Sequence, residues 1–387
     1  MLKFLLVYLI RMGICIINIF HIQKDKILFI PFNGEYYCNL KYIDQYLRQN
    51  GANLHIIWAI RPEQRAKYPQ DCQVCTINSW EFFYHLMTAH FVVSNDFLHS
   101  YFYKKDGQYY INTWHGGGAY KRIAAVYKDL KDKWRWKRVK FSLESCDFII
   151  SSCQRFSEAI TLDTAINKVN PHIVFLKFGM PRNDVFFSKS KMQELKQKVF
   201  NRYHISAEQK IILYAPTFRS HEFNNSLDVV GLLQVLREKF KKDFVLFLRS
   251  HPHVKDNIFK ADFEGENIID VSKYPDMQEL LCAADVLITD YSSSMWDFSF
   301  TGKPCFIYAN DIESYKADRN FHTPIEEWPF PVASNNEELQ KNIRNFDEKK
   351  YAQDIDLHHR NLGSYEDGHA AERVSDFIIG LCNDKKK

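Results

Sequence analysis

The chain has 387 residues, 46% hydrophobic and 25% charged, too long for one small core and ordinary for a soluble globular protein of two domains. A net charge of only +4 does not suggest the broad basic face that grips a nucleic-acid duplex, and leaves anionic substrates and anionic lipid surfaces open. The nine cysteines are odd in number and scattered, and they read as mostly buried, reduced thiols of a cytoplasmic protein.

The first twenty residues, "MLKFLLVYLIRMGICIINIF", are apolar enough for a spanning helix or a signal peptide. Arg11 at the centre opposes the span, since a cation there costs about 2.5–3.5 kcal/mol on insertion scales. No small-x-small cleavage site precedes "HIQKDK", which opposes the signal peptide. An amphipathic helix over 1–22, lying on the membrane with Lys3 and Arg11 at the headgroups, is one expectation. A helix packed on the first domain is the other.

From there the pattern is strand, loop, helix, repeated. "KILFIPF" reads as a strand, followed by the loop "NGEYYCN" and a helical "LKYIDQYLRQNG" closing on Gly51. "LHIIWAI", "HFVVSND" and "YYINTWH" are further strands, and "CDFIISS" follows a basic helix expected over 120–145. Cys72 and Cys75 form a CxxC between these segments, but no second pair or histidine stands at zinc spacing, so no metal is expected. "FGMPRNDVFF" (178–187) breaks the rhythm, and the helical "SKMQELKQKVFNRYHI" leads into a second series. That series is "KIILYAPTF", "DFVLFLRSHPH", "ENIIDVS", "ADVLITDYSS" and "KPCFIYA", ahead of a last helix in "EDGHAAERVSDFIIGL". Short apolar runs alternating with amphipathic segments argue for parallel α/β layers. Two domains are expected, 23–190 and 191–387, the last helix belonging to the second.

In open parallel sheets, ligands bind beyond the carboxyl ends of the strands, and the chemically suggestive residues fall there. His115 ends "YYINTW" and opens a run of three glycines, with Lys121 and Arg122 close behind. Gly116 and Gly117 would let backbone amides approach a ligand, the following helix would add its dipole, and the cations would supply mobile charge. An imidazole beside an anion site suits proton removal near neutral pH; a tight turn with a structural histidine is the plain alternative. Arg249, His251 and His253 alternate past "DFVLFL", where Pro252 ends the strand, and an arginine with a histidine suits a phosphate oxygen. Asp290 ends "VLIT" and three hydroxyls, Ser292, Ser293 and Ser294, precede an expected amphipathic helix. Hydroxyls and amides there make an anion cradle. Asp290 would repel a phosphate, so it is expected to fix the loop or bind a hydroxyl. Thr217 and Arg219 stand at one more strand end. No DxD follows a strand at a plausible nucleotide site, and GxSxG and HExxH are missing, which disfavours metal-chelating sugar transfer, esterase and zinc-protease chemistry.

In order and spacing, "FNGEYYCNLKYI", "NTWHGGGAYKRI", "FGMPRND", "LYAPTFR", "RSHPH", "ITDYSSSMWDFSFTGKPCFIY" and "YEDGHAAERVSDFI" resemble the CDP-glycerol glycerophosphotransferase family, which primes and polymerises teichoic acids. The resemblance covers most of the chain. It implies two Rossmann-like domains of glycosyltransferase-B type with a donor cleft between the halves, and a peripheral enzyme on the cytoplasmic face of the membrane. It implies a CDP-polyol donor, a lipid-linked or surface-glycan acceptor, release of CMP, no cofactor and no nucleic acid. By motif, His115 matches the general base on the acceptor hydroxyl and His251 the histidine engaging the donor pyrophosphate. Arg219, Arg249, Ser292 and Ser293 match positions around the donor phosphates. Where family members often read "WHGTPLK", this chain has "WHGGGAYK". A capsule or surface-glycan acceptor, or a CDP-ribitol donor, would leave the same motifs. A nucleotide-sugar glycosyltransferase of the same fold and a non-catalytic glycan- or lipid-binding scaffold are the alternatives.

Overall fold

The computed structural model describes residues 20–122, 133–217, 227–249, 267–318 and 320–383. Two all-parallel sheets organise them. The first has seven strands: β1 (Gln23–Ile30), β2 (His55–Ile60), β3 (Gln73–Thr76), β4 (Ala89–Ser94), β5 (Tyr109–Asn112), β6 (Phe148–Ile150) and β7 (Val174–Leu176), in the order 3-2-1-4-5-6-7. The second has six: β8 (Lys210–Ala215), β9 (Phe244–Leu248), β10 (Ile268–Asp270), β11 (Val286–Thr289), β12 (Cys305–Tyr308) and β13 (Val332–Ala333), in the order 10-9-8-11-12-13. Every residue of β4, β9, β11 and β12 is buried. Covered on both faces, such strands read as continuous apolar runs rather than alternating ones.

Each sheet reverses its winding once, between β1 and β4 in the first and between β8 and β11 in the second. Ligands of open α/β sheets bind at such switch points. Register aligns the strand ends there. Ile30 pairs with Ser94 and Ser94 with Asn112; Ala215 pairs with Thr289 and Tyr214 with Leu248.

The chain divides into two units, Met1–Gly116 with Arg122–Asp184 and Tyr365–Lys387, and Gly117–Lys121 with Val185–Ser364. This corrects the expected membership in two places. The last helix, Ala370–Asn383, is part of the first unit, because it buries Ala370, Ala371, Val374 and Ile378 in packing against the helix Cys38–Gln49. The Asp184 carboxylate accepts from the Ala370 and Ala371 amides at its start, at 2.9 and 2.7 Å. Five residues after His115, conversely, are part of the second unit.

Other expectations shift as well. β5 ends at Asn112 instead of running to His115, because Trp114 turns to φ +54° while its N–H donates to Asn112 Oδ1 at 2.8 Å. The first described residue of the basic helix is Lys133, and Lys121 instead bridges Phe321. The helix after the serines, Ser294–Ser299, is buried at every residue and not amphipathic. The expected surface helix over 1–22 lies almost wholly outside the described residues. Among those described, no helix is long and apolar enough to cross a membrane. Cys72 and Cys75 are buried thiols, and burial pushes them up to about 11 and about 12, so both stay neutral at pH 7.

Candidate active site

The first unit presents His115 at the carboxyl edge of its sheet, next to the switch point. Its ring is exposed and near-parallel to those of Trp114 and Phe32, with centroids 4.8 and 5.6 Å away. Nδ1 lies 2.7 Å from the Asn95 carbonyl oxygen, just past β4. A carbonyl only accepts, so Nδ1 carries the proton in the neutral ring and Nε2 is the basic nitrogen. Asn95 is fully buried and its Oδ1 accepts from the Phe32 amide at 2.7 Å. One asparagine therefore fixes both the histidine and the aromatic beside it.

Beneath His115 lies a frame that reading strand ends did not find. Asn39 Nδ2 donates to the carbonyls of Thr113 and Trp114 at 2.9 and 3.0 Å. Arg182, 4% exposed, donates from NH1 to the His115 carbonyl at 2.5 Å and to Cys38 Sγ at 3.2 Å. The Arg182 amide donates back to Asn39 Oδ1 at 3.2 Å. A bulky residue such as Trp114 in the left-handed region costs about 1–3 kcal/mol and persists only where its surroundings over-determine it. Glu366 completes the frame, accepting from the Met180 amide at 2.9 Å and from Asn183 Nδ2 at 3.1 Å. Gly179, at φ +81°, makes room for it; a Cβ there would meet the Glu366 carboxylate at 2.9 Å. The signal was present in "CN", "PRND" and "YEDG", but only folding brings these segments to one loop.

The residues after His115 depart from expectation. Gly117 is bare because of Trp296, whose Cδ1 would lie 2.1 Å from a Cβ at that position. The Ala119 carbonyl accepts from the Thr323 amide and hydroxyl, and the Tyr120 carbonyl accepts from the His322 amide. Tyr120 Oη meets His358 Nε2 at 3.0 Å. Close packing within the second unit thus itself requires a glycine at 117. Arg122 is not the mobile cation expected: Nε and NH2 donate to Asp163 Oδ1 at 3.1 and 2.9 Å, and that carboxylate is buried. Gly116 is half-buried beside His115, and Lys121 is half-buried within the second unit.

The second unit gathers Thr217, Asp290 and the serines at its switch point. The buried Asp290 carboxylate accepts from the Thr217 amide at 3.0 and 2.9 Å and from the Tyr291 amide at 2.6 Å. Asp290 thus ties the β8 loop to the end of β11. Ser292 and Ser293 are half-buried, whereas Ser294 is buried and donates from both its amide and its hydroxyl to Ser292 Oγ, at 3.2 and 2.9 Å. A helix of six residues adds little dipole, so this cradle is one of hydroxyls and amides. Arg249, past β9, keeps its amide in the sheet through the Tyr214 carbonyl at 2.9 Å and donates from NH1 to the Tyr274 carbonyl at 2.8 Å. Arg219, His251 and His253 lie outside the described residues.

At the far end of the helix Ser294–Ser299 stands His359, whose Nε2 meets Ser299 Oγ at 2.7 Å and whose ring stacks on Phe300 at 4.4 Å. Burial holds this imidazole down, to about 4. Between that value and the unfolded one near 6.5, the unfolded chain binds more protons than the folded one, so stability is lost as pH falls through this window. The full window corresponds to no more than about 3 kcal/mol. Denaturant titrations at pH 7 and pH 5 should show this loss, and His359→Gln should flatten it. An equal acid loss in that variant would rule His359 out as the source.

A sequence model of the family described as CDP-Glycerol:Poly(glycerophosphate) glycerophosphotransferase matches residues 14–380. The chain is 30% identical over 377 residues to a teichoic acid poly(glycerol phosphate) polymerase of Staphylococcus epidermidis, a match covering 92% of this chain and 51% of that protein. It is 28% identical over 376 residues to a teichoic acid glycerol-phosphate transferase of Staphylococcus aureus, covering 92% of this chain and 93% of that one. The chain thus spans about half the length of the first relative and nearly all of the second. A solved structure of the wall teichoic acid polymerase TagF superposes with a TM-score of 0.83 at 28% identity, over 97% of this chain and 94% of that one.

Proposed function

The chain belongs to the CDP-glycerol:poly(glycerophosphate) glycerophosphotransferase family, and from that premise we propose that it moves a polyol phosphate, glycerol phosphate first, from a CDP-polyol to a hydroxyl of a membrane-linked or surface-glycan acceptor. The product is a polymer of teichoic-acid or capsule type. One observation carries the reading: an exposed imidazole whose Nδ1 proton is committed to a main-chain carbonyl, making Nε2 the base.

In the proposed step, His115 Nε2 takes the proton of the acceptor hydroxyl as its oxygen attacks the phosphorus bearing the polyol. A new phosphodiester P–O bond forms, the bond from that phosphorus to the bridging oxygen of the pyrophosphate breaks, and CMP departs with the electron pair. The second unit takes the donor: Arg249, Ser292 and Ser293 meet its phosphates, joined by Arg219 and His251 on the strength of their motifs. Asp290 holds Thr217 and the loop in place. Positioning and electrostatics supply most of the acceleration in phosphoryl transfer. The two parallel sheets, each with its switch point, support a glycosyltransferase-B reading. Membrane attachment at the cytoplasmic face through residues 1–22 belongs to the same proposal, supported by their apolar and cationic pattern.

The test is CMP release by purified protein from CDP-glycerol and CDP-ribitol, with a membrane extract as acceptor. Acceptor-dependent release that is lost in His251→Ala is expected, and the better donor identifies the polyol. Folded protein that releases CMP from neither donor would reject the assignment and direct the search to nucleotide sugars.

A further inference from the structure

The motif "FGMPRND" has so far been given no part in the reaction, yet its arginine touches the loop that carries the base. Three successive carbonyls, those of Thr113, Trp114 and His115, turn inward onto two side chains, Asn39 for the first two and Arg182 for the third. Asn39 opens the helix Cys38–Gln49 and Arg182 lies in the turn Pro181–Phe187, far apart in sequence and tied to each other by the Arg182 amide. Both are buried, at 0% and 4% exposure. The segment they hold contains Trp114 at φ +54°, a conformation a tryptophan leaves once its carbonyls are released.

We infer that Asn39 and Arg182 are positioning residues for the proposed proton transfer, holding the backbone of 113–115 so that His115 Nδ1 meets the Asn95 carbonyl and Nε2 is the basic nitrogen. The inference rests on the base reading of His115. Neither residue reaches the substrate. Each acts through the main chain, and the planar guanidinium suits the task because its rigid plane directs a single nitrogen, NH1, to the His115 carbonyl and Cys38 Sγ at once. A lysine keeps the charge but has no rigid plane to fix that direction. Without the frame, the Trp114 backbone relaxes toward the extended region and carries the imidazole with it. Misplacement of a reacting group by about 1 Å lowers a rate by up to about 10²-fold.

The experiment combines a spectrum that needs no substrate with a kinetic split. Full-length protein labelled with ¹⁵N-histidine reports the tautomer of His115, its signals identified by their loss in His115→Ala. Wild type is expected to show the Nδ1–H form. Arg182→Ala and Asn39→Ala are expected to move it toward Nε2–H and to lower kcat about tenfold or more, with the donor KM within about twofold. Should either alanine variant fail to fold, Arg182→Lys is read in its place, with the same direction expected in both measurements. An unchanged His115 spectrum overturns the inference whatever the turnover, and so does wild-type kcat beside an altered spectrum. Full turnover in His115→Ala would instead sink the base reading itself, a different failure from loss in His115→Ala beside unaltered frame variants.

Discussion

Replacing His115 with alanine or glutamine is expected to lower acceptor-dependent CMP release by at least about 10²-fold while leaving the unfolding transition nearly where it was. Positioned general-base catalysis contributes about 10²–10⁴-fold. Stability should change little because the residue is exposed, its ring hydrogen-bonded to a main-chain carbonyl and stacked beside Trp114 and Phe32. Asn39 and Arg182 hold the backbone at 113–115 through carbonyls that survive the substitution. Steady-state release and a denaturant titration on the same preparation separate the two effects. A variant within a few-fold of wild type would remove the base from His115. A variant that loses stability in proportion to activity would make the residue structural.

The second large effect is one of packing. Gly117→Ala is expected to destabilise the protein by about 3 kcal/mol, at the upper end of what overpacking costs. The new methyl would stand 2.1 Å from Trp296 Cδ1 and 2.7 Å from its Nε1. Trp296 has no room to retreat, being fully buried with the rings of Phe300 and His359 each 5.2 Å away. The same substitution at Gly380, inside the helix Ala370–Asn383 with nothing within 4 Å of the added carbon, should stabilise by about 0.5–1 kcal/mol. Paired denaturation curves read the opposite signs directly. In a Trp296→Leu background the cost of Gly117→Ala should shrink, since coupled neighbours do not add. An undiminished cost there would mean that the indole is not the obstacle.

These two neighbouring residues show how far the sequence could be read. The parallel α/β class was legible because buried strands of a doubly covered sheet are continuous apolar runs, as in "HFVVS" and "DFVLFL". The strand-end placement of His115, Thr217, Arg249 and Asp290 was legible for a related reason, since polar residues directly after such a run fall at its carboxyl end. The outer strands β3, β7 and β13, two to four residues long and only partly buried, were not read as strands. The pairing of Arg122 with Asp163 was not legible, because spacing along the chain cannot show that a buried carboxylate 41 residues away will meet it.

By itself, then, the sequence determined the layered parallel class, the family and the candidate base. These depend on local pattern and on motifs whose residues lie together in the chain. Tertiary structure alone decided that the last helix belongs to the first unit, that Gly117 is bare for the sake of an indole, and that Asn39, Arg182 and Glu366 stand under His115. Each of these is a contact between segments widely separated in the chain, where closing the loop requires burial or hydrogen bonds that no local window contains. A candidate base can be read from a motif. The hydrogen bonds around its ring and backbone are a property of the fold.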